Sequence, residues 1–239
     1  WLDTSSDTST GQFADNSEPG KGARDIGCLK CEKSRSLFDI PHRFSFAGIW
    51  TPNLFKGRKD FLGFLTKDWQ IAAIFTAQSG RPFSIWNGAA AVIQRNSSGQ
   101  VIGFAGGDYN LDAGGGAVGG GFYDRPNAPA GLPSSFSRQD FLNGIFPASL
   151  FTAPVRGTNG SLGRNTFRGP GYMTLDVSLG RTISFGETKK LMLKLEAFNA
   201  LNTVNLYLPN ADLSLTTIFG KSTQAFEPRT MQASVKFSF

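Results

Sequence analysis

Residues 171–185 read GYMTLDVSLGRTISF, and apolar and polar side chains take turns along them. Met173, Leu175, Val177, Leu179, Ile183 and Phe185 share one face. Thr174, Asp176, Ser178, Gly180, Thr182 and Ser184 share the other. A period of two marks a β-strand with one oily and one wet side, because successive side chains leave a pleated backbone in opposite directions. The last residues repeat the pattern, with Met231, Ala233, Val235, Phe237 and Phe239 set against Gln232, Ser234, Lys236 and Ser238. Between them, residues 189–202 set Leu191, Leu193, Leu195 and Ala197 against Met192, Lys194, Glu196 and Phe198. Leu, Lys, Glu and Ala favour helices by propensity. Period two nevertheless fits Leu191 to Glu196 better than a helical repeat, and Phe185-Gly186-Glu187-Thr188 before it reads as a tight hairpin turn.

Two earlier segments alternate in the same way. In 42–51, Phe44, Phe46, Gly48 and Trp50 oppose Ser45, Ala47, Ile49 and Thr51. In 67–86, Trp69, Ile71, Ala73, Phe75 and Ala77 oppose Gln70, Ala72, Ile74, Thr76 and Gln78, and Gly80 and Pro82 signal a bend or bulge further on. The expectation is therefore five strands, at 42–51, 67–86, 171–185, 189–202 and 229–239. Residues 1–40 are polar and read as a loop. Residues 88–167 form a long irregular stretch with GGG at 114–116 and 119–121 and a short element near Gln139–Ile145. Connections this long are uncommon in compact domains and tend to be functional or mobile. Residues 208–227 read as a further loop.

Alternation alone also describes a soluble β-sandwich. Three features favour a membrane barrel. Each strand has the roughly 10 residues that a tilted spanning strand needs. Short links (53–66, 185–188) alternate with long ones (1–40, 87–170, 208–227), as periplasmic turns alternate with outer loops. In that topology Trp50, Trp69, Phe185 and Phe239 reach one rim as an interfacial aromatic girdle, with Tyr172, Phe44 and Phe83 near the other. No apolar run of about 18 residues exists to make a spanning helix, and a barrel would leave none. Five strands are too few to close, and an open edge in lipid leaves backbone groups unpaired. Since the sequence does not begin with Met, further strands and any export signal are expected upstream.

Composition refines this picture. Among 239 residues there are 22 Phe against 4 Tyr and 4 Trp, and 29 Gly, a mix that suits strands and loops. The net charge of +6 is scattered, and no nucleic-acid module accompanies it. Cys28 and Cys31 stand in GCLKC, and the chain has one His, His42. That is short of a zinc quartet, so the pair reads as a local disulfide or two loop thiols; a disulfide suits an oxidising compartment. No Ser/His/Asp set or phosphate loop is present, so an enzyme is not expected.

Two clusters bear on sites. Asp108, Asn110 and Asp112 fall at i, i+2, i+4 and offer oxygen ligands to calcium, or build an Asx-rich turn. The EF-hand pattern fails at Ala113 and Gly119. Asp176, Lys194, Glu196, Gln232 and Lys236 lie on wet faces as lumen-facing candidates. They read either as a lining that contacts plug or solute, or as a solvated charge ladder across neighbouring strands.

Six segments in order, FDIPHRFSFAGIW, WQIAAIFTAQSGRPFSIWNG, YDRPNAP, NTFRGPGYMTLDVSLGRTISF, KLMLKLEAFNALNTVNL and PRTMQASVKFSF, resemble the C-terminal barrel strands of Oar-like TonB-dependent receptors, over residues 38–239. The resemblance implies an all-β, antiparallel transmembrane barrel of about 22 strands, of which these are the last five. It makes 1–40 an extracellular loop segment truncated at its start, and 41–239 the C-terminal barrel strands with a long extracellular loop at 87–170. It implies an outer-membrane protein surrounded by lipid and lipopolysaccharide, and assembled by the barrel-assembly machinery that reads a terminal Phe. The barrel would be completed by its own upstream strands and plug domain, and energised through the TonB complex to import an extracellular solute. A passive porin and an adhesion or structural protein without transport are the alternatives. The first forty residues and the glycine-rich insert at 113–121 depart from the family pattern, and the plug and TonB-binding segment are not part of this sequence.

Overall fold

The computed structural model describes residues 30, 33–52, 60–89, 92–110, 124–186 and 188–239. Cys28, Cys31, Asp112 and the glycine-rich insert lie outside the described residues. In chain order the elements are β1 (Arg43–Trp50), α1 (Phe61–Thr66), β2 (Trp69–Gln78), β3 (Pro82–Phe83), β4 (Val92–Arg95), β5 (Val101–Ala105), α2 (Arg138–Asn143), β6 (Phe167–Arg168), β7 (Tyr172–Phe185), β8 (Lys189–Phe198) and β9 (Thr230–Ser238). They fall into two compact units. One comprises Pro41–Ser79, Gly171–Asn205 and Phe226–Phe239. The other comprises Gly80–Pro170 and Leu206–Ala225 with the described residues up to Ile40.

The first unit is a five-stranded antiparallel sheet in the order β1-β2-β7-β8-β9. Residues directly opposite in an antiparallel pair share a face, so the register decides whether the alternating sequences add up to one surface. They do. Phe46 faces Phe75, which faces Leu175. Ile71 faces Leu179, Leu179 faces Leu195, and Leu195 faces Ala233. The apolar series of all five strands thus form one side, interrupted by Arg181 and Lys189 toward one end. Among the described residues no second layer of this unit covers it: Val235 is 71% exposed and Phe44, Phe46 and Leu195 are exposed too. In a soluble sandwich this side would be the core. The sheet is open, with β1 and β9 as its edges, and no closed barrel forms among the described residues.

Local chemistry sets the strand ends. Gly186, at φ +72, takes the left-handed position in the β7–β8 turn, which a residue with a Cβ reaches only at a cost. β8 stops at Phe198, four residues before the expected end, because Asn199 adopts φ 49. Its N–H is given to the Asp176 carboxylate at 2.8 Å instead of to the ladder. The expected 67–86 strand divides. β2 ends at Gln78, and Pro82–Phe83 pair with Phe167–Arg168 in the other unit. Gly80 makes that crossing possible, since a Cβ there would stand 1.8 Å from the Gly169 carbonyl oxygen.

The second unit holds the described residues of the long irregular stretch at 88–167. They stay mostly without regular elements, yet with 81–87 and 206–225 they fold around a packed core of Phe83, Ile85, Trp86, Phe151, Leu162, Phe167, Ala211 and Phe219. Phe136 and Phe146 lie against that core, and the rings meet edge-on or tilted: Phe146–Phe167 at 5.3 Å, Phe146–Phe151 at 5.7 Å and Phe151–Phe219 at 5.8 Å. Ring pairs of this kind add about 0.5–1.5 kcal/mol beyond the area they bury. Much of the unusual Phe content goes here. Phe83, expected at an outer aromatic rim, is fully buried in this core. The element expected near Gln139–Ile145 is α2, and Ser137 and Asp140 cap it reciprocally.

Candidate functional site

The wet side of the sheet carries all five lumen-facing candidates. Asp176 shares a face with Ser178, which stands opposite Glu196; Glu196 faces Gln232, and Lys236 faces Met192 on the same side. Gln232 donates across the strands to Glu196 at 2.7 Å, and Lys194 pairs with Glu196 at 2.6 Å along β8. The ladder is therefore a Lys194–Glu196–Gln232 chain running partly along one strand. Asp176 does not join it. Its carboxylate accepts from the Asn199 N–H at 2.8 Å and from the Thr174 hydroxyl at 3.3 Å, which makes it the anchor of the turn after β8.

The four expected girdle aromatics all lie toward one end of the sheet, at uneven steps. Trp50 stands on the rung of Ile71 and Leu179, Trp69 on the rung of Arg181, and Phe185 on the rung of Lys189. Phe239 follows Ser238, the partner of Lys190, and extends to the same level as Phe185. From the rung of Leu179 to Phe185 is six residues along β7, or about 20 Å at ~3.3 Å per residue. Crossing from β1 to β9 takes four steps, or about 19 Å at ~4.8 Å each. Trp50 and Phe239 are thus offset by similar distances along and across the strands, but Phe185 and Phe239 share one level, so the four do not fall on a single line. Tyr172, by contrast, lies on the wet side opposite Gln78, where its ring meets Phe226 at 5.2 Å.

Arg181 breaks the apolar series of β7 and was passed over in the sequence pattern. Its guanidinium lies over the rings of Phe64 (4.7 Å) and Trp69 (5.4 Å) and donates to the Phe64 carbonyl. The gap between Leu179 and Ile183 in an otherwise regular pattern was the available signal.

Charged groups in the second unit are tied into the loops. Asp124, from YDRPNAP, is buried and accepts the N–H groups of Tyr109 (2.6 Å) and Asn110 (3.1 Å), while Arg125 donates to the Leu162 carbonyl at 2.9 Å. Asp212 accepts the N–H groups of Gly88 (2.8 Å) and Ser214 (2.9 Å). Burial pushes the Tyr109 hydroxyl up from its ordinary 10.0 and the negative Asp124 adds to this, while the hydrogen bond from Asn87 partly opposes it. Donation by the Ser137 hydroxyl and amide holds the Asp140 carboxyl below the usual range. Of the calcium candidates, Asp108 is buried and the Asn110 amide donates to Asn159 at 2.9 Å. Among the described residues no group of three or more His, Cys, Asp or Glu converges to hold a metal. An open depression of about 720 Å³ is lined by Lys33, Ser34, Arg35, Ser36, Phe38 and Asp39. Arg168 ties the Asp39 carboxylate at 2.6 Å.

Among the described residues no helix is long and apolar enough to cross a membrane. The family described as outer membrane beta barrel domain matches residues 2–232. Among curated proteins and solved structures, none matches the chain.

Proposed function

On the premise that the chain belongs to the family of outer membrane beta barrel domains and is integral to the bacterial outer membrane, we propose that it forms the closing strands of an energy-coupled solute importer. In this reading β1 and β9 pair with further strands of a barrel of about 22, and the uncovered apolar side faces lipid. The Lys194–Glu196–Gln232 chain lines the lumen beside a plug. Coupling runs through TonB. The observation that carries the reading is a predominantly apolar side shared by all five strands, with a hydrogen-bonded polar side behind it. One side suits lipid and the other a wet interior. Support for active import over passive diffusion comes from the six ordered segments similar to Oar-like receptors.

Uptake separates the alternatives. Cells carrying the complete gene are compared with and without TonB, using a panel of oligosaccharides, peptides and metal chelates. The reading expects uptake of at least one solute that disappears without TonB. Uptake that persists without TonB points to a porin. Binding at the cell surface with no uptake in either strain points to an adhesin.

A further inference from the structure

The link between β1 and β2 carries a helix that the strand pattern does not require. α1 reads FLGFLT and contains no charge. Its residues are presented outward: Phe61 is 74% exposed, and Leu62, Phe64 and Leu65 are exposed as well. Such side chains do not decorate a water-facing turn without reason. The helix is also held in place. Asp60 caps its start by accepting the Gly63 N–H at 3.0 Å. At its end the Trp69 indole N–H donates to the Leu65 carbonyl at 2.8 Å, and Arg181 donates to the Phe64 carbonyl while lying over the Phe64 ring.

Trp69 and Arg181 face each other on the apolar side of the sheet. The contacts therefore fold the end of α1 onto the side that meets lipid, at the end where β1 and β7 finish and β2 begins. An Arg on the lipid-facing side is tolerated where its charge reaches the headgroup layer, and its cost rises steeply toward the bilayer midplane. On β2 and β7 the Trp69–Arg181 pair therefore marks a membrane–water boundary. Trp69, whose ring is apolar and whose N–H is hydrogen-bonded, belongs at the same depth.

We propose that α1 is an interfacial foot: its Phe61, Leu62, Phe64 and Leu65 side chains insert among the phospholipids at the headgroup–acyl boundary, with Arg181 and Trp69 as the clamp that sets its depth. The surface is continuous with the lipid-facing side of the sheet, so its occupant is the same leaflet that wets the wall. Lys67 follows the helix directly, with its side chain largely exposed and its ammonium 3.9 Å from the Asp68 carboxylate, so the charged pair sits where the helix meets water. The foot adds apolar area beside one turn and resists vertical sliding of the wall in the bilayer. It rests on membership of the barrel family and is independent of what the barrel carries.

The test uses the complete protein folded into phosphatidylethanolamine–phosphatidylglycerol vesicles, with a bimane fluorophore on a single cysteine at Phe61 or, separately, Leu62. Lipids brominated near the headgroup should quench both labels several-fold more than lipids brominated near the chain end. Iodide in the water should quench them weakly. Strong iodide quenching with no effect of brominated lipid would overturn the proposal, because α1 would then stand in water. Protection from both quenchers would overturn it as well, because α1 would then be covered by protein. A label at Val235 reports on the wall separately, so a failed foot and a failed barrel are distinguishable.

Discussion

Asn205 holds both backbone groups of Met173: its side-chain oxygen accepts the Met173 N–H at 2.8 Å and its amide donates to the Met173 carbonyl at 2.8 Å. A buried side chain thus stands in for a neighbouring strand at the start of β7. A hydrogen bond contributes about 0.5–1.5 kcal/mol net, and Met173 itself is exposed, so water can reach its backbone groups. Asn205→Ala should therefore lower stability by about 1–3 kcal/mol, since two bonds are lost. Asn205→Asp should not rescue it, because the second carboxylate oxygen would face the Met173 carbonyl. Denaturant unfolding of the complete protein in detergent, monitored on both variants, checks this. A stable Asn205→Ala protein would show that water replaces the side chain.

Asp176 is a test of role as well as of stability. If its task is to hold the Asn199 N–H, Asp176→Asn keeps an acceptor and should unfold close to the parent, whereas Asp176→Leu should lose about 1–3 kcal/mol through the unpaired amide. Solute uptake by Asp176→Asn should match the parent. A large loss of uptake with unchanged stability would return Asp176 to the solute path.

The packed loop unit predicts its own weak point. Phe167 is fully buried, with the rings of Phe83 (5.8 Å), Phe146 (5.3 Å) and Phe136 (6.2 Å) around it. Phe167→Ala should cost about 3–5 kcal/mol. Because the sheet has its own hydrogen-bond ladders, the damage should stay local. Hydrogen exchange should quicken across 81–89, 124–168 and 206–225 and remain slow in β7 and β8. Uniform protection in both regions would contradict a core centred on Phe167.

Alkaline pH should loosen the same unit. The Tyr109 hydroxyl titrates above 10.0 in the folded protein, so its contribution is complete below that value and lost as pH rises through the raised one. Tyr109→Phe gives up the hydrogen bond from Asn87 but also this alkaline limb. Unfolding curves recorded from neutral pH upward should therefore fall less steeply for the variant at high pH. Parallel curves would show that Tyr109 ionises without consequence.

The five long strands were legible because apolar and polar residues alternate along nearly the whole length of each, and the register keeps each series on one side. Their exact ends were not, since Asn199 and Asn205 act through side-chain hydrogen bonds that have no period. α1 was missed because six residues are too few to show a helical repeat, and its stabilising contacts come from Trp69 and from Arg181, more than a hundred residues away. The loop unit was hidden for a similar reason. Phe83, Phe167 and Phe219 come from segments far apart in sequence, and no local pattern announces that they meet. On the wet side, the residue types of the ladder were legible but not its wiring: Lys194 turned to Glu196 on its own strand, and Asp176 to a turn.

The account depends on lipid wetting one side of the sheet, and an alternating scan of β9 tests that most directly. Nitroxide labels are placed one at a time from Met231 to Ser238 in the complete protein in lipid bilayers. Collision with oxygen, which concentrates in lipid, should peak at 231, 233, 235 and 237. Collision with a water-soluble nickel complex should peak at the residues between. If the odd-numbered positions were closed to oxygen, the apolar side would be covered by protein, and this sheet would not be the wall of a membrane barrel.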